Sequence, residues 1–191
     1  VLGVHAILIY NKGRKRTWFK PSAASQARVR GYMRGVGDFA GVLVTGLMVN
    51  QGVPVPLAIL LVLGVGVIIG LVNGTIVTKI KVNSVIATLG MGSILVGLTF
   101  AYSTGVPIAS GVPKIFTAIA LNRVWGVPNN VIVMFVVLFL LWLLVNRTDV
   151  GQQIQAVGGN VEAARLSGIR VDRVKILAFV VAAICASLTG I

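Results

Sequence analysis

The chain alternates long apolar runs with short polar ones. Leu57 to Thr78 and Ser84 to Ser103 reach the roughly 20 helical residues needed to cross a hydrocarbon core of about 30 Å. Val131 to Asn146 is shorter, but Asn129, Asn130 and Arg147 flank it and can sit at the two interfaces. Ile176 to Ile191 comes close to a span before the chain stops. Phe39 to Asn50 is shorter still, so it is a span only if its helix begins near Gly31, and otherwise a broken or re-entrant segment packed against protein. Val1 to Tyr10 has the character of a helix end. The expectation is an all-α, polytopic transmembrane helix bundle, present as a fragment with about five to six membrane segments.

Glycine and proline punctuate these runs. Gly52 to Pro56 (GVPVP) and Gly105 to Pro113 (GVPIASGVP) are turn sequences that end helices. Leu121 to Pro128, with Arg123 and Trp125, reads as an interfacial segment. Inside the run from Leu57, Gly66, Gly70 and Gly74 recur every fourth residue, which places them on one helix face and lets a neighbouring helix approach closely. The next run carries Thr88, Gly90 and Ser93, with Gly92 and Thr99, and is too polar for a helix turned only to lipid. These small hydroxyl and glycine positions serve either helix packing or a wet pathway.

Composition agrees with a membrane protein: 57% hydrophobic and 11% charged residues, against about a quarter charged in an ordinary soluble domain. Mean hydropathy is +0.96. The net charge of +13 does not point to nucleic acid, because the cations lie between apolar runs instead of being interleaved with contact residues on one surface. They report topology. If the loop with Lys79 and Lys81 is cytoplasmic, so are Asn11 to Arg34 and Arg147 to Lys175, and together these hold all the Lys and Arg residues except Lys114 and Arg123. The basic stretch from Asn11 reads as a loop facing anionic membrane lipids. Residues 1–36 are therefore taken as a partial helix end and basic cytoplasmic loop, and residues 37–191 as the transmembrane domain.

Candidate chemistry is sparse. A single Cys, Cys185, cannot form an internal disulfide, and one His cannot build a zinc site, so no metal or cofactor is expected. Apart from Asp38, taken to lie at an interface, no carboxylate falls within an apolar run, which leaves proton or sodium coupling without its usual buried groups. No G-x-x-x-x-G-K-[ST] phosphate loop is present, and no nucleophile and base pair falls within the spans.

The loop 147–175 is the most patterned polar segment. In GGNVEAARLSGI, Asn160 suits an N-cap, Glu162 lies in the first turn where a negative charge favours the helix dipole, and Gly168 can end the helix. The spacing predicts a surface helix of about two turns, with Ala163, Leu166 and Ile169 as an apolar stripe and Glu162 and Arg165 projecting elsewhere. Gly158 and Gly159 before it would let it lie across the membrane surface.

The run AVGGNVEAARLSGIRVDRVK (Ala156 to Lys175) resembles the cytoplasmic coupling loop of the sugar permease subunits of bacterial ABC importers, the ribose and xylose type. RTDVGQQIQ (Arg147 to Gln155) and LVNGTIVTKIKVNSVIATLGM (Leu71 to Met91) resemble the same family, and the likeness covers roughly Leu57 to Ile191. It implies that the short helix docks on an ATP-binding subunit, a role that falls on Gly159, Asn160, Glu162, Ala163, Ala164, Arg165, Leu166, Ser167 and Gly168. It implies a second permease subunit, which is either an identical copy or a close paralogue, a periplasmic sugar-binding protein and a multi-pass location in the bacterial inner membrane. Val150 and Gln152 stand where the family commonly has an aromatic and a basic residue. GVGDFAG (Gly35 to Gly41) stands where it has Gly-x-Asp-Leu-Ser-x-Gly, so Asp38 corresponds to its acidic residue.

The expected function is that of a non-enzymatic permease subunit moving a monosaccharide or similar small polar solute, with ATP hydrolysis on a partner chain. The alternatives are a secondary carrier, or a membrane-anchored scaffold or sensor with basic lipid-facing loops.

Overall fold

In a computed structural model of the protein, residues 23–105, 116, 123–124 and 127–191 are described. The expectations for Val1 to Tyr10, for the basic stretch up to Ser22, for Lys114 and for most of the Gly105 to Pro113 turn lie outside them. The described chain is helical apart from a short antiparallel ladder, β1 (Arg123–Val124) with β2 (Val127–Pro128), inside the segment expected at an interface. The helices are α1 (Ala23–Asn50), α2 (Val55–Lys79), α3 (Ser84–Ser103), α4 (Asn129–Arg147), α5 (Asp149–Gly159), α6 (Val161–Leu166) and α7 (Val171–Gly190). Among the described residues α2, α3 and α4 are long and apolar enough to cross a membrane by length and composition alone. Their large side chains point outward, as with Leu60 at 67% exposure and Phe135 at 63%, the reverse of a water-soluble packing.

The chain forms two compact units, one of residues 23–118 with 175–191 and the other built on residues 119–174. In the first, α1 extends Phe39 to Asn50 back past Gly31, which the reading of that stretch as a span required, and rules out the broken or re-entrant alternative. It is one continuous helix of 28 residues, and part of the stretch expected as a basic loop, Ala23 to Arg34, is its first half. Its buried side chains Tyr32, Val36, Ala40, Val44 and Met48 recur every fourth residue, a stripe that crosses from the basic into the apolar part. Tyr32 and Val36 pack with Ile69, Leu95 and Ala186; Ala40, Val44 and Met48 pack with Ala58 and Val62.

Close backbone approach sets the spacing of this unit. A Cβ added at Gly70 would lie 2.6 Å from the Cα of Val180, and one at Gly74 2.9 Å from the Cα of Ile176. At Gly66 it would strike the Ser187 hydroxyl. All three glycines of the stripe thus receive α7, which packs backbone to backbone along α2. On α1, Gly37 faces the carbonyl of Ala186 and Gly41 that of Gly190, while Gly35 faces Gly92 of α3. The Tyr32 hydroxyl and both amide atoms of Asn73 are buried in the same unit and face one another without meeting full hydrogen-bond geometry.

Helix ends follow local chemistry. Pro54 precedes α2 and Pro56 sits in its first turn, where a missing N–H costs nothing. The side chain of Asn83 accepts from Val85 N at 2.9 Å and starts α3. Thr104 (φ 52°) and Gly105 (φ 76°) turn left-handed and end it, their N–H groups donating to Phe100 O.

Candidate functional site

The polar loop after α4 folds as a helical hook within the second unit. Thr148 caps α5, its hydroxyl oxygen accepting from Gly151 N at 3.2 Å while it donates to Leu144 O. Gly151 is buried in the elbow between α4 and α5, where an added Cβ would strike the carbonyls of Leu144 and Val145. Gln155 donates from Nε2 to Val145 O at 3.0 Å and closes the same elbow. The sequence reading placed no helix here. Its signals were the Thr148-Asp149 start and the spacing of Ile154, Val157 and Val161, apolar at i, i+3 and i+7.

α6 follows after a single non-helical residue, Asn160 (φ −155°, ψ 110°). Gly158 and Gly159, the pair before the short helix, are the last turn of α5. The Oδ1 of Asn160 accepts from Glu162 N at 3.0 Å and from Ala163 N at 3.1 Å. At the other end Gly168 is left-handed (φ 79°), Gly168 N donates to Arg165 O at 3.0 Å and Ile169 N to Ala164 O at 3.1 Å. That pair of bonds is the Schellman closure, which satisfies carbonyls that would otherwise be orphaned. Ser167 adds a bond from its hydroxyl to Ala163 O at 2.9 Å.

A helix of six residues is too short to persist by propensity alone. Its anchor is a small core of Val157, Ala164, Val171 and Val174, with Ile154, Val161 and Ile169 packed around it. This corrects the expected stripe. Ala164, Val161 and Ile169 face inward, whereas Ala163 is exposed and Leu166 is 88% exposed. The reason is the preceding helix: α5 presents Ile154 and Val157, and the face of α6 that continues their line is that of Val161 and Ala164. Glu162 and Arg165 lie in solvent, joined by an ion pair at 3.9 Å. An exposed i, i+3 pair contributes at most a few tenths of a kcal/mol, so both side chains remain free to be redirected by a partner. Gly159 has open space at its Cβ position and is exposed. The hook thus offers outward a leucine, an arginine, a glutamate and small residues, on a backbone fixed at both ends.

Of the positions singled out inside the spans, Gly66, Gly70 and Gly74 meet α7, and Thr88 is buried with its hydroxyl donating to Ser84 O at 2.8 Å. Gly90 has no neighbour at its Cβ position, and the exposed Ser93 donates to Leu89 O at 3.1 Å. These two lie on the free side of α3. Val150 and Gln152 are likewise exposed on α5.

Apolar helices with outward-turned leucines, and a capped helix in a polar loop between them, define a polytopic membrane protein. The family model described as "Branched-chain amino acid transport system / permease component" matches residues 35–191, and the chain belongs to this permease family. It is 36% identical over 147 residues to the ribose import permease protein RbsC of Haemophilus influenzae, covering 75% of this chain and 46% of the relative. It is 38% identical over 151 residues to the ribose import permease protein RbsC of Escherichia coli K12, covering 78% and 46%. With the autoinducer 2 import system permease protein LsrD of Escherichia coli O9:H4 it shares 35% over 133 residues, covering 67% and 40%. The chain spans less than half the length of these relatives. No solved structure gives a significant match.

Proposed function

We propose that the protein is the transmembrane permease subunit of an ATP-driven importer, carrying a monosaccharide or similar small polar solute across the inner membrane. The observation that carries this reading is α6, whose buried face is used up in holding it while Leu166 and Arg165 are turned outward. Leu166, 88% exposed in a segment fixed by two caps, is the apolar contact that a docking partner would cover. The partner is an ABC ATPase subunit, on which the hydrolysis takes place. A second permease subunit and a periplasmic sugar-binding protein complete the assembly.

The chain runs from Gly168 directly into α7, so a displacement of α6 is passed on by covalent continuity to a helix that enters the apolar bundle. Nucleotide binding on the partner shifts the population of α6 positions, and the attached helix follows. The ribose import permeases among the relatives support the choice of a pentose as first probe.

The test is uptake of labelled D-ribose by proteoliposomes holding the full-length permease with its ATPase subunit and binding protein. Uptake requires ATP, and Arg165→Glu uncouples ATP hydrolysis from it. Uptake that persists without the ATPase subunit would make the protein a secondary carrier. An Arg165→Glu protein with native uptake and native ATPase capture would remove α6 from the coupling path.

A further inference from the structure

Asp38, expected at an interface, is exposed on its unit and stands level with the middle of α2 and α3. Its neighbour Gly37 faces the carbonyl of Ala186 at 3.2 Å from an added Cβ, and Ser187, next along α7, packs on Gly66 near the middle of α2. On the other side Gly35 meets the backbone of Gly92 near the middle of α3. The most apolar span and its neighbour therefore place this carboxylate far from both of their ends. A carboxylate at that depth needs a partner or a wet path. Among the described residues no cation stands within ion-pair distance of Asp38.

It opens instead on a cleft of about 580 Å³ between α1, α3 and α7, lined also by Thr99, Thr189, Val42, Val96 and Phe100. Both threonines spend their hydroxyl hydrogens inside their own helices, Thr99 on Leu95 O and Thr189 on Cys185 O, each at 2.8 Å. Their free lone pairs and the Asp38 oxygens make the polar side of the cleft a set of acceptors. The opposite character comes from Phe100, 62% exposed, with Val42 and Val96. A ligand matching this lining donates several hydrogen bonds from one side and is apolar on the other, as a polyhydroxylated ring is.

Resting on the importer reading above, we propose that the Asp38–Thr99–Thr189 cleft is a station for the hydroxyl groups of the solute half-way across the membrane. Its ligand is a neutral polyol or sugar. In the proteoliposomes described above, Asp38→Asn slows D-ribose uptake by about tenfold or more, since it turns one of the two acceptor oxygens into a donor. Thr99→Val and Thr189→Val each slow it by about three- to tenfold, with the assembled complex recovered in native amount. Asp38→Cys in a full-length permease otherwise free of cysteine, Cys185→Ala included, reacts with a water-soluble methanethiosulfonate reagent, and saturating D-ribose slows that reaction. Native uptake by Asp38→Asn, or labelling at position 38 indifferent to D-ribose, overturns the station while leaving ATP-driven import intact. Native uptake that needs a sodium or proton gradient assigns the acceptors to a cation and also overturns it. If the native complex shows no ATP-dependent uptake, it is the importer reading that fails.

Discussion

Replacing Asn160 with alanine removes the one side-chain acceptor at the start of α6. Two backbone donors depend on it, Glu162 N at 3.0 Å and Ala163 N at 3.1 Å, while Ala164 N is the first to reach a backbone carbonyl, that of Asn160 itself at 3.0 Å. Losing an N-cap of this type costs about 1 kcal/mol, within a range of roughly 0.5 to 2. In α6 the cost falls in the upper half of that range, because the helix has six residues and both donors share one acceptor. The Val157–Ala164–Val171–Val174 core is untouched, so α6 stays anchored and opens more often. A loss of 1 to 2 kcal/mol raises the opening equilibrium by about 5- to 30-fold. Amide hydrogen exchange on the full-length permease in lipid nanodiscs reads this directly, as faster exchange confined to the peptide spanning residues 161–166. Asn160→Asp keeps the acceptor and exchanges near the native rate. Exchange of Asn160→Ala within twofold of native would refute the capping argument.

Leu166→Ser leaves thermal stability within about 0.5 kcal/mol of native, because the side chain is 88% exposed, yet it weakens capture of the ATPase subunit in a pull-down. Gly70→Val forces α2 away from Val180, whose Cα stands 2.6 Å from the added Cβ, and lowers stability by about 1–3 kcal/mol, seen as a lower melting temperature in detergent. Gly90→Ala, where nothing lies near the new Cβ, does not lower that melting temperature and serves as its control. Gly151→Ala strikes the carbonyls of Leu144 and Val145 and opens the α4–α5 elbow, which proteolysis near Arg147 detects as faster cleavage.

Membrane spans were legible wherever hydropathy alone decides them. α2, α3 and α4 begin and end within a few residues of the runs Leu57 to Thr78, Ser84 to Ser103 and Val131 to Asn146. The first half of α1 was not legible, because its cations read as loop, and the signal that corrects this is the four-residue spacing from Tyr32 to Met48. In the loop 147–175, the Asn160 cap and the Gly168 turn were readable as local chemistry. The buried face of α6 was not, because which side of a short helix is covered depends on what packs against it.

The sequence by itself determined that this is a polytopic membrane protein, that its cations fall between the apolar runs, and that a capped helix stands between two of those runs. Those properties are local or additive: hydropathy summed over a span, charge counted by loop, one side chain bonding an amide two or three residues on. Only the tertiary structure decided that Gly66, Gly70 and Gly74 receive α7, that Leu166 faces outward, and that Asp38 stands level with the middle of α2 and α3 beside Thr99 and Thr189. Each of these depends on contacts between residues far apart in the chain, and a period along one helix records that a face is special without recording what meets it.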